Sequence, residues 1–166
     1  MIKPTAKSIS VFDFGSGLGN ALVMFYNAAL AADYSQTKLI GIEKYVSLVS
    51  ESKKYLNHCN IPENNYSFLI KDLKNELDGF FDKMFKVHVI ESKFSQNIVY
   101  CNRLFRDYLP QLRLETKMVN SFPEGTIFIF YMGVFCNGKT EEDFKRLRIK
   151  QINNQVYIKL KDEEIL

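Results

Sequence analysis

Phe12-Asp13-Phe14-Gly15-Ser16-Gly17-Leu18-Gly19-Asn20 is the stretch that decides the fold. It lies where an apolar run, Ile9 to Phe14, gives way to a helical pattern, Asn20 to Ala32. On that pattern Leu22, Val23, Phe25, Tyr26, Ala29 and Leu30 make a broad apolar face. Glycines at alternate positions let a strand turn tightly into a helix and let the backbone approach a ligand, while the helix start offers free N–H groups at the carboxyl edge of a sheet. A nucleotide-type ligand is the natural occupant of such a turn.

Outward from this turn, apolar runs and helical patterns alternate, as βαβ units of a mainly parallel sheet do. Leu39 to Ile42 reads as a second strand and Tyr45 to His58 as a second helix, stopped by Asn60-Ile61-Pro62. Tyr66 to Ile70 is a third strand. From Leu73 to Phe94 the pattern is mixed: Leu77, Phe80, Phe81, Met84 and Phe85 fit a helical face, and Val87-His88-Val89-Ile90 fits either a short strand or a helical turn. Ile98 to Cys101 is the next strand, then a helix with Leu109, Leu112, Thr116, Val119 and Phe122 on one face, then a strand from Thr126 to Tyr131. Arg148 to Ile152 and Gln155 to Leu160 alternate polar and apolar residues around Asn153-Asn154, a hairpin signal. The expected fold is α/β and doubly wound: a mainly parallel, seven-stranded Rossmann-like sheet ending in an antiparallel hairpin.

The chain has 166 residues, 46% hydrophobic, 14% aromatic and 25% charged, enough for one core and little more. A single domain over 1–166 is expected. The formal net charge of +3 is ordinary for a globular domain. Cys59, Cys101 and Cys136 are odd in number and far apart, so neither a disulfide framework nor a zinc site is expected. His58 and His88 are isolated from each other, and no metal site is expected. The opening residues 1–7 are not signal-like, and no run is long enough to cross a bilayer, so the expected location is intracellular.

The residues around the glycines select the ligand. A dinucleotide fingerprint needs Gly where Asn20 stands, and a phosphate loop needs Lys followed by Ser or Thr, which is absent. Asp13, two residues before the Gly15, Gly17, Gly19 core, would repel a pyrophosphate and attract an ammonium group. That charge favours S-adenosylmethionine over NAD. Leu39-Ile40-Gly41-Ile42-Glu43 ends in a carboxylate on the neighbouring strand, where it can accept hydrogen bonds from both ribose hydroxyls; its competing role is a solvated acid opening the next helix. Asp72, closing the third strand, is either an adenine ligand or a helix N-cap, or both. The candidate cofactor-binding set is Asp13, Gly15, Ser16, Gly17, Gly19, Asn20, Glu43 and Asp72.

Three further segments accompany the turn. Gly41-Ile42-Glu43 precedes a long helix; Ile98-Val99-Tyr100-Cys101-Asn102-Arg103-Leu104-Phe105 ends a strand in an amide; and Lys117 to Ile129 runs helix, Pro-Glu-Gly turn, strand. Together with Asp13 to Val23 they resemble class I methyltransferases, and within that class the disruptor-of-telomeric-silencing type of lysine methyltransferase. The resemblance implies a cofactor at the carboxyl edge and an active-site asparagine beside the methyl group and the incoming lysine nitrogen, for which Asn102 is the candidate. Its plainer role is an amide capping the strand end. The sulfonium already activates the methyl, so alignment of a deprotonated nucleophile suffices and no general base is demanded. The chain starts almost at its first strand and carries no long basic tail, so the expected acceptor is a non-histone protein lysine or another nucleophile. Alternatives are a small-molecule methyltransferase with its substrate cap built from residues 71–95 or 132–145, and a non-catalytic binding module within a complex, whose partner subunit completes the site. A base methyltransferase would carry prolines after Asn102, and Arg103, Arg106, Arg113, Lys117 and Tyr108 read as a solvated helix face rather than a nucleic-acid surface.

Overall fold

A computed structural model describes residues 7–84 and 96–161. The elements run β1 (Ser8–Phe14), α1 (Asn20–Ala31), β2 (Gln36–Glu43), α2 (Val46–His58), a 3-10 turn (Glu63–Asn65), β3 (Tyr66–Ile70), α3 (Leu73–Met84), β4 (Gln96–Asn102), α4 (Tyr108–Ser121), β5 (Ile127–Tyr131), α5 (Glu141–Leu147), β6 (Ile149–Gln151) and β7 (Val156–Lys159). All strands join one sheet in the order β3-β2-β1-β4-β5-β7-β6. β1 pairs in parallel with β2 and β4, β2 with β3, and β4 with β5; β7 runs antiparallel to both β5 and β6. The order reverses at β1, so the crevice beyond the carboxyl ends of β1 and its neighbours is the topological switch point where open α/β sheets take ligands.

Period-two alternation divides the strand side chains between two cores. Ile9, Val11 and Leu39 pack under Leu22 and Ala29 of α1 and Leu56 of α2. Phe12, Phe14, Ile40, Ile42, Val99, Phe128 and Phe130 pack under α3 and α4 on the other face. In that second core Phe14 stacks on Phe81 with ring centroids 5.8 Å apart, and Tyr157 of β7 meets Phe130 at 5.7 Å and Phe135 at 5.4 Å. The hairpin is therefore bound to the sheet by aromatic packing as well as by its ladder.

Three sequence expectations need correction. On α1, Leu30 is exposed, and the face narrows to buried Leu22 and Ala29 with Val23, Phe25 and Tyr26 half-buried. On α4 the buried face is Gln111, Leu114, Glu115, Met118 and Val119, while Leu109 is 72% exposed. The stripe is rotated because two polar side chains occupy it, for a reason given below. α5 was not expected at all; Thr140 caps it, with its hydroxyl accepting from Asp143 N–H and the Asp143 carboxylate accepting from Thr140 N–H. Val87 to Ile90 and His88 lie outside the described residues. Among the described residues no helix is long and apolar enough to cross a membrane.

Candidate cofactor cleft

The glycine turn is clamped to the end of β2: Gly15 and Ser16 N–H both donate to Ile42 O, at 2.8 and 3.1 Å, and Gly19 N–H donates to Ser16 O at 2.8 Å. Two positions demand glycine. Gly15 has φ 79°, and a Cβ there would collide with the Leu104 side chain. Gly19 has φ 83°, and a Cβ there would lie 2.5 Å from Ser52 Oγ and 2.7 Å from Leu56 Cδ1, so α1 could not seat against α2.

Beneath this turn two acids share one face of the sheet. Asp13 is in register with Gly41, two residues before Glu43, and the two carboxyl residues are 2% and 8% exposed. Burial, and secondarily the Glu43 charge, push the Asp13 carboxyl up to about 7. Glu43 is fastened by three backbone donors: Oε2 accepts from Gly17 N–H at 3.0 Å, and Oε1 accepts from Lys44 and Tyr45 N–H at 2.9 and 3.1 Å. Oε1 is then saturated, and Oε2 keeps capacity for a further donor. Gly41 lets the groups above it sit low, since a Cβ there would lie 2.8 Å from Ser16 Oγ and 2.5 Å from the Phe68 ring. Ser16 Oγ is buried and has no hydrogen-bond partner among the described residues.

A cleft of about 370 Å³ adjoins Gly15 and Glu43, lined further by Ile42, Lys44, Tyr45, Leu48, Lys71, Asp72, Leu73, Lys74, Leu104 and Phe105, while Asp13 and Ser16 lie outside this lining. Its size is that of a small-molecule site. Asp72 reaches it and also caps α3, its Oδ1 accepting from Lys74 N–H at 3.0 Å and its Oδ2 from Asn75 Nδ2 at 3.1 Å. The cap is thus observed, on a side chain that also lines the cleft. Gly17 and Gly19 follow the turn behind the cleft, and Asn20 is the exposed first residue of α1. Asn102 ends β4, exposed, beside Tyr131 in register on β5 and outside the cleft lining. The lining residues that sequence reasoning did not single out are Tyr45, Leu48 and Leu73, each reading as an ordinary helix-start or helix-face residue, and Lys44, Lys71 and Lys74, each reading as a solvated surface cation.

The loop from Arg103 to Asp107 forms one wall. Arg103 N–H donates to Tyr131 O at 3.1 Å, and its guanidinium donates to Phe105 O at 3.1 Å and Arg106 O at 2.8 Å. Arg113 and Lys117 are engaged with Asp78 of α3, at 2.6 and 2.8 Å. Cys101 lies buried beneath the wall with its thiol pushed up to about 12 by burial, too high to supply a thiolate nucleophile.

No family model matches the sequence, and no curated protein matches it. Solved structures do. PKMT2 from Rickettsia typhi in complex with AdoHcy superposes with a TM-score of 0.50 at 16% identity, over 76% of this chain and 21% of that one. The fold is that of the class I methyltransferases. An rRNA methylase from Streptococcus thermophilus has a TM-score of 0.49 at 16% identity, over 94% of this chain and 89% of its own. An S-adenosylmethionine-dependent methyltransferase from Clostridium acetobutylicum has 0.46 at 13%, over 74% and 42%. The chain thus spans about a fifth of the PKMT2 chain and less than half of the clostridial one. The mainly parallel seven-stranded sheet with a C-terminal antiparallel hairpin is as anticipated from the sequence; the placing of β7 between β5 and β6 is added by the structure.

Proposed function

We propose that this chain binds S-adenosylmethionine in the cleft beyond β1, β2 and β3 and acts as a methyltransferase on a protein lysine. The observation that carries the reading is the pair of buried acids, Asp13 and Glu43, under a glycine turn. Two carboxyls on one sheet face disfavour any phosphate and favour a cation, and a carboxyl lifted to about 7 by burial is what a site prepared for an ammonium looks like without it. The free capacity on Glu43 Oε2 suits a ribose hydroxyl, Ser16 Oγ lacks a partner that a ligand can supply, and Tyr45, Leu48, Leu73, Leu104 and Phe105 give the apolar walls an adenine ring needs. Gly15, Gly17 and Gly19 bring backbone close to the methionine part, Asn20 opens the helix behind it, and Asp72 stands where it can meet the adenine amino group. Bound there, the cofactor supplies a methyl already activated by its sulfonium.

The acceptor side is open. Asn102 stands exposed at the end of β4, with exposed Tyr131 in register on β5 and exposed Met132 following it. A rim of this kind supports a macromolecular acceptor over a small molecule, which would need an enclosed chamber. Asn102 then orients the incoming amine.

Titration calorimetry with S-adenosylmethionine and S-adenosylhomocysteine tests the first half. Micromolar binding by the wild type, weakened at least about tenfold by Asp13→Ala and by Glu43→Ala, is the expected result, each variant removing a charged contact of about 1.5–3 kcal/mol. No binding by the folded wild type would overturn it. Transfer of labelled methyl to lysine-containing proteins, lost in Asn102→Ala with cofactor affinity retained, tests the second half.

A further inference from the structure

Behind the Leu104–Phe105 wall lies a buried polar chain that the cleft itself does not use. Gln111 and Glu115 stand one turn apart on α4, each with no solvent exposure. Gln111 Oε1 accepts from Leu104 N–H at 2.9 Å and from Phe105 N–H at 2.8 Å. Its Nε2 donates to Glu115 Oε1 at 2.8 Å and to Cys101 Sγ at 3.8 Å. Glu115 accepts from Val134 N–H, at 3.2 and 3.0 Å to its two oxygens. A Cβ at Gly133 would lie 2.6 Å from Glu115 Oε1, so the loop after β5 approaches that carboxylate as closely as its backbone allows.

Both acceptor sites and both donor protons of the Gln111 amide are committed, which fixes its orientation without ambiguity. Burying an amide and a carboxyl in a helix face that leucines could fill is unfavourable unless every group is answered. Here they are answered by the backbone of two separate loops. We propose that Gln111 and Glu115 are one positioning unit, which locks the loop after β4 to the loop after β5 and so sets the wall of the cleft from inside α4. This rests on the cofactor reading above only for what the cleft holds; the coupling of the two loops stands on its own geometry.

Matching of donors and acceptors provides the test. Glu115→Gln leaves one donor too many: its amide either keeps its oxygen toward Gln111 Nε2 and sets its NH2 against Val134 N–H, or accepts from Val134 N–H and sets its NH2 against Gln111 Nε2; Gln111→Glu places two carboxyls together. The swap Gln111→Glu with Glu115→Gln restores the pattern: Glu at 111 accepts from Leu104, Phe105 and the new amide, and Gln at 115 still accepts from Val134. Amide hydrogen exchange on the ligand-free proteins and calorimetry with S-adenosylhomocysteine are the measurements. Each single change is expected to speed exchange at Leu104, Phe105 and Val134 together, the loop it does not touch included, and to weaken binding by about tenfold, with the swap within about threefold of wild type. Single variants whose effects stay within one loop, or a swap whose losses add, would overturn the proposal. Should the singles fail to fold, the swap decides alone: folded with both loops protected upholds the unit, unfolded refutes it. A wild type that ignores the ligand sinks the cofactor reading, and exchange still decides the coupling.

Discussion

A carboxyl pressed into the middle of a sheet must either stay protonated or be answered by a cation. Asp13 follows that rule in its ligand-free state, its carboxyl pushed up to about 7. Unfolding returns it to about 3.8, so the unfolded chain releases the proton first as pH rises, and stability is lost between the two values. The thermal midpoint of the ligand-free protein is expected to fall from pH 4 to pH 7 and level off above, through a contribution of up to about 4 kcal/mol. Asp13→Asn should flatten that slope in a calorimetric scan. Ligand binding carries the opposite sign: an ammonium favours the ionised carboxyl, so S-adenosylhomocysteine affinity should rise toward pH 7 and then hold, with proton release detectable in buffers of different ionisation enthalpy. At Gly15 the requirement is steric. Gly15→Ala combines φ 79° with a collision against Leu104, and a loss of roughly 1–3 kcal/mol in chemical denaturation is expected, together with lost cofactor binding.

The strands were legible because each is a short apolar run between turn signals, and β3 matches its expected bounds of Tyr66 to Ile70. Helix faces were harder to read. On α4 an apolar tally selects Leu109 and passes over Gln111 and Glu115, because nothing in the sequence says that two loops elsewhere will present unpaired N–H groups to them. A polar residue is buried for what it satisfies, and that partner is a product of the tertiary fold. The missed α5 is a different case. Thr140-Glu141-Glu142-Asp143 is a capping-box pattern with acids in the first turn, a local signal available in the sequence and overlooked among the post-β5 residues. Thr140→Ala should cost about 1 kcal/mol, read as a shift of the urea midpoint with unchanged slope. In the cleft, Glu43 and Asp72 were legible from their place at strand ends; the three donors that fasten Glu43 come from a turn and a helix start whose meeting only the fold reveals.

At the scale of the molecule, the sheet is closed on one side by the hairpin of β6 and β7, and Tyr157 is its anchor. That ring is buried against Phe130, Phe135 and Phe144, and its hydroxyl donates to Asn154 O at 3.1 Å. Tyr157→Ala should destabilise by about 3–5 kcal/mol, with the hairpin amides losing protection before those of β1 and β2 in hydrogen exchange. The opposite concern belongs to β1. It pairs with β2 on one side and with β4 on the other, where Ile9 lies opposite Gln96. During synthesis β1 and β2 emerge well before β4 exists, so the central strand, with Asp13 on it, waits on the ribosome with one row of N–H and C=O groups bare. Folding of the nascent chain is therefore timed by the arrival of β4, and a ribosome that stalls between α3 and β4 displays a sticky edge. Stalled chains of that length should depend on chaperones in a way that full-length chains, with β4 and the hairpin in place, do not.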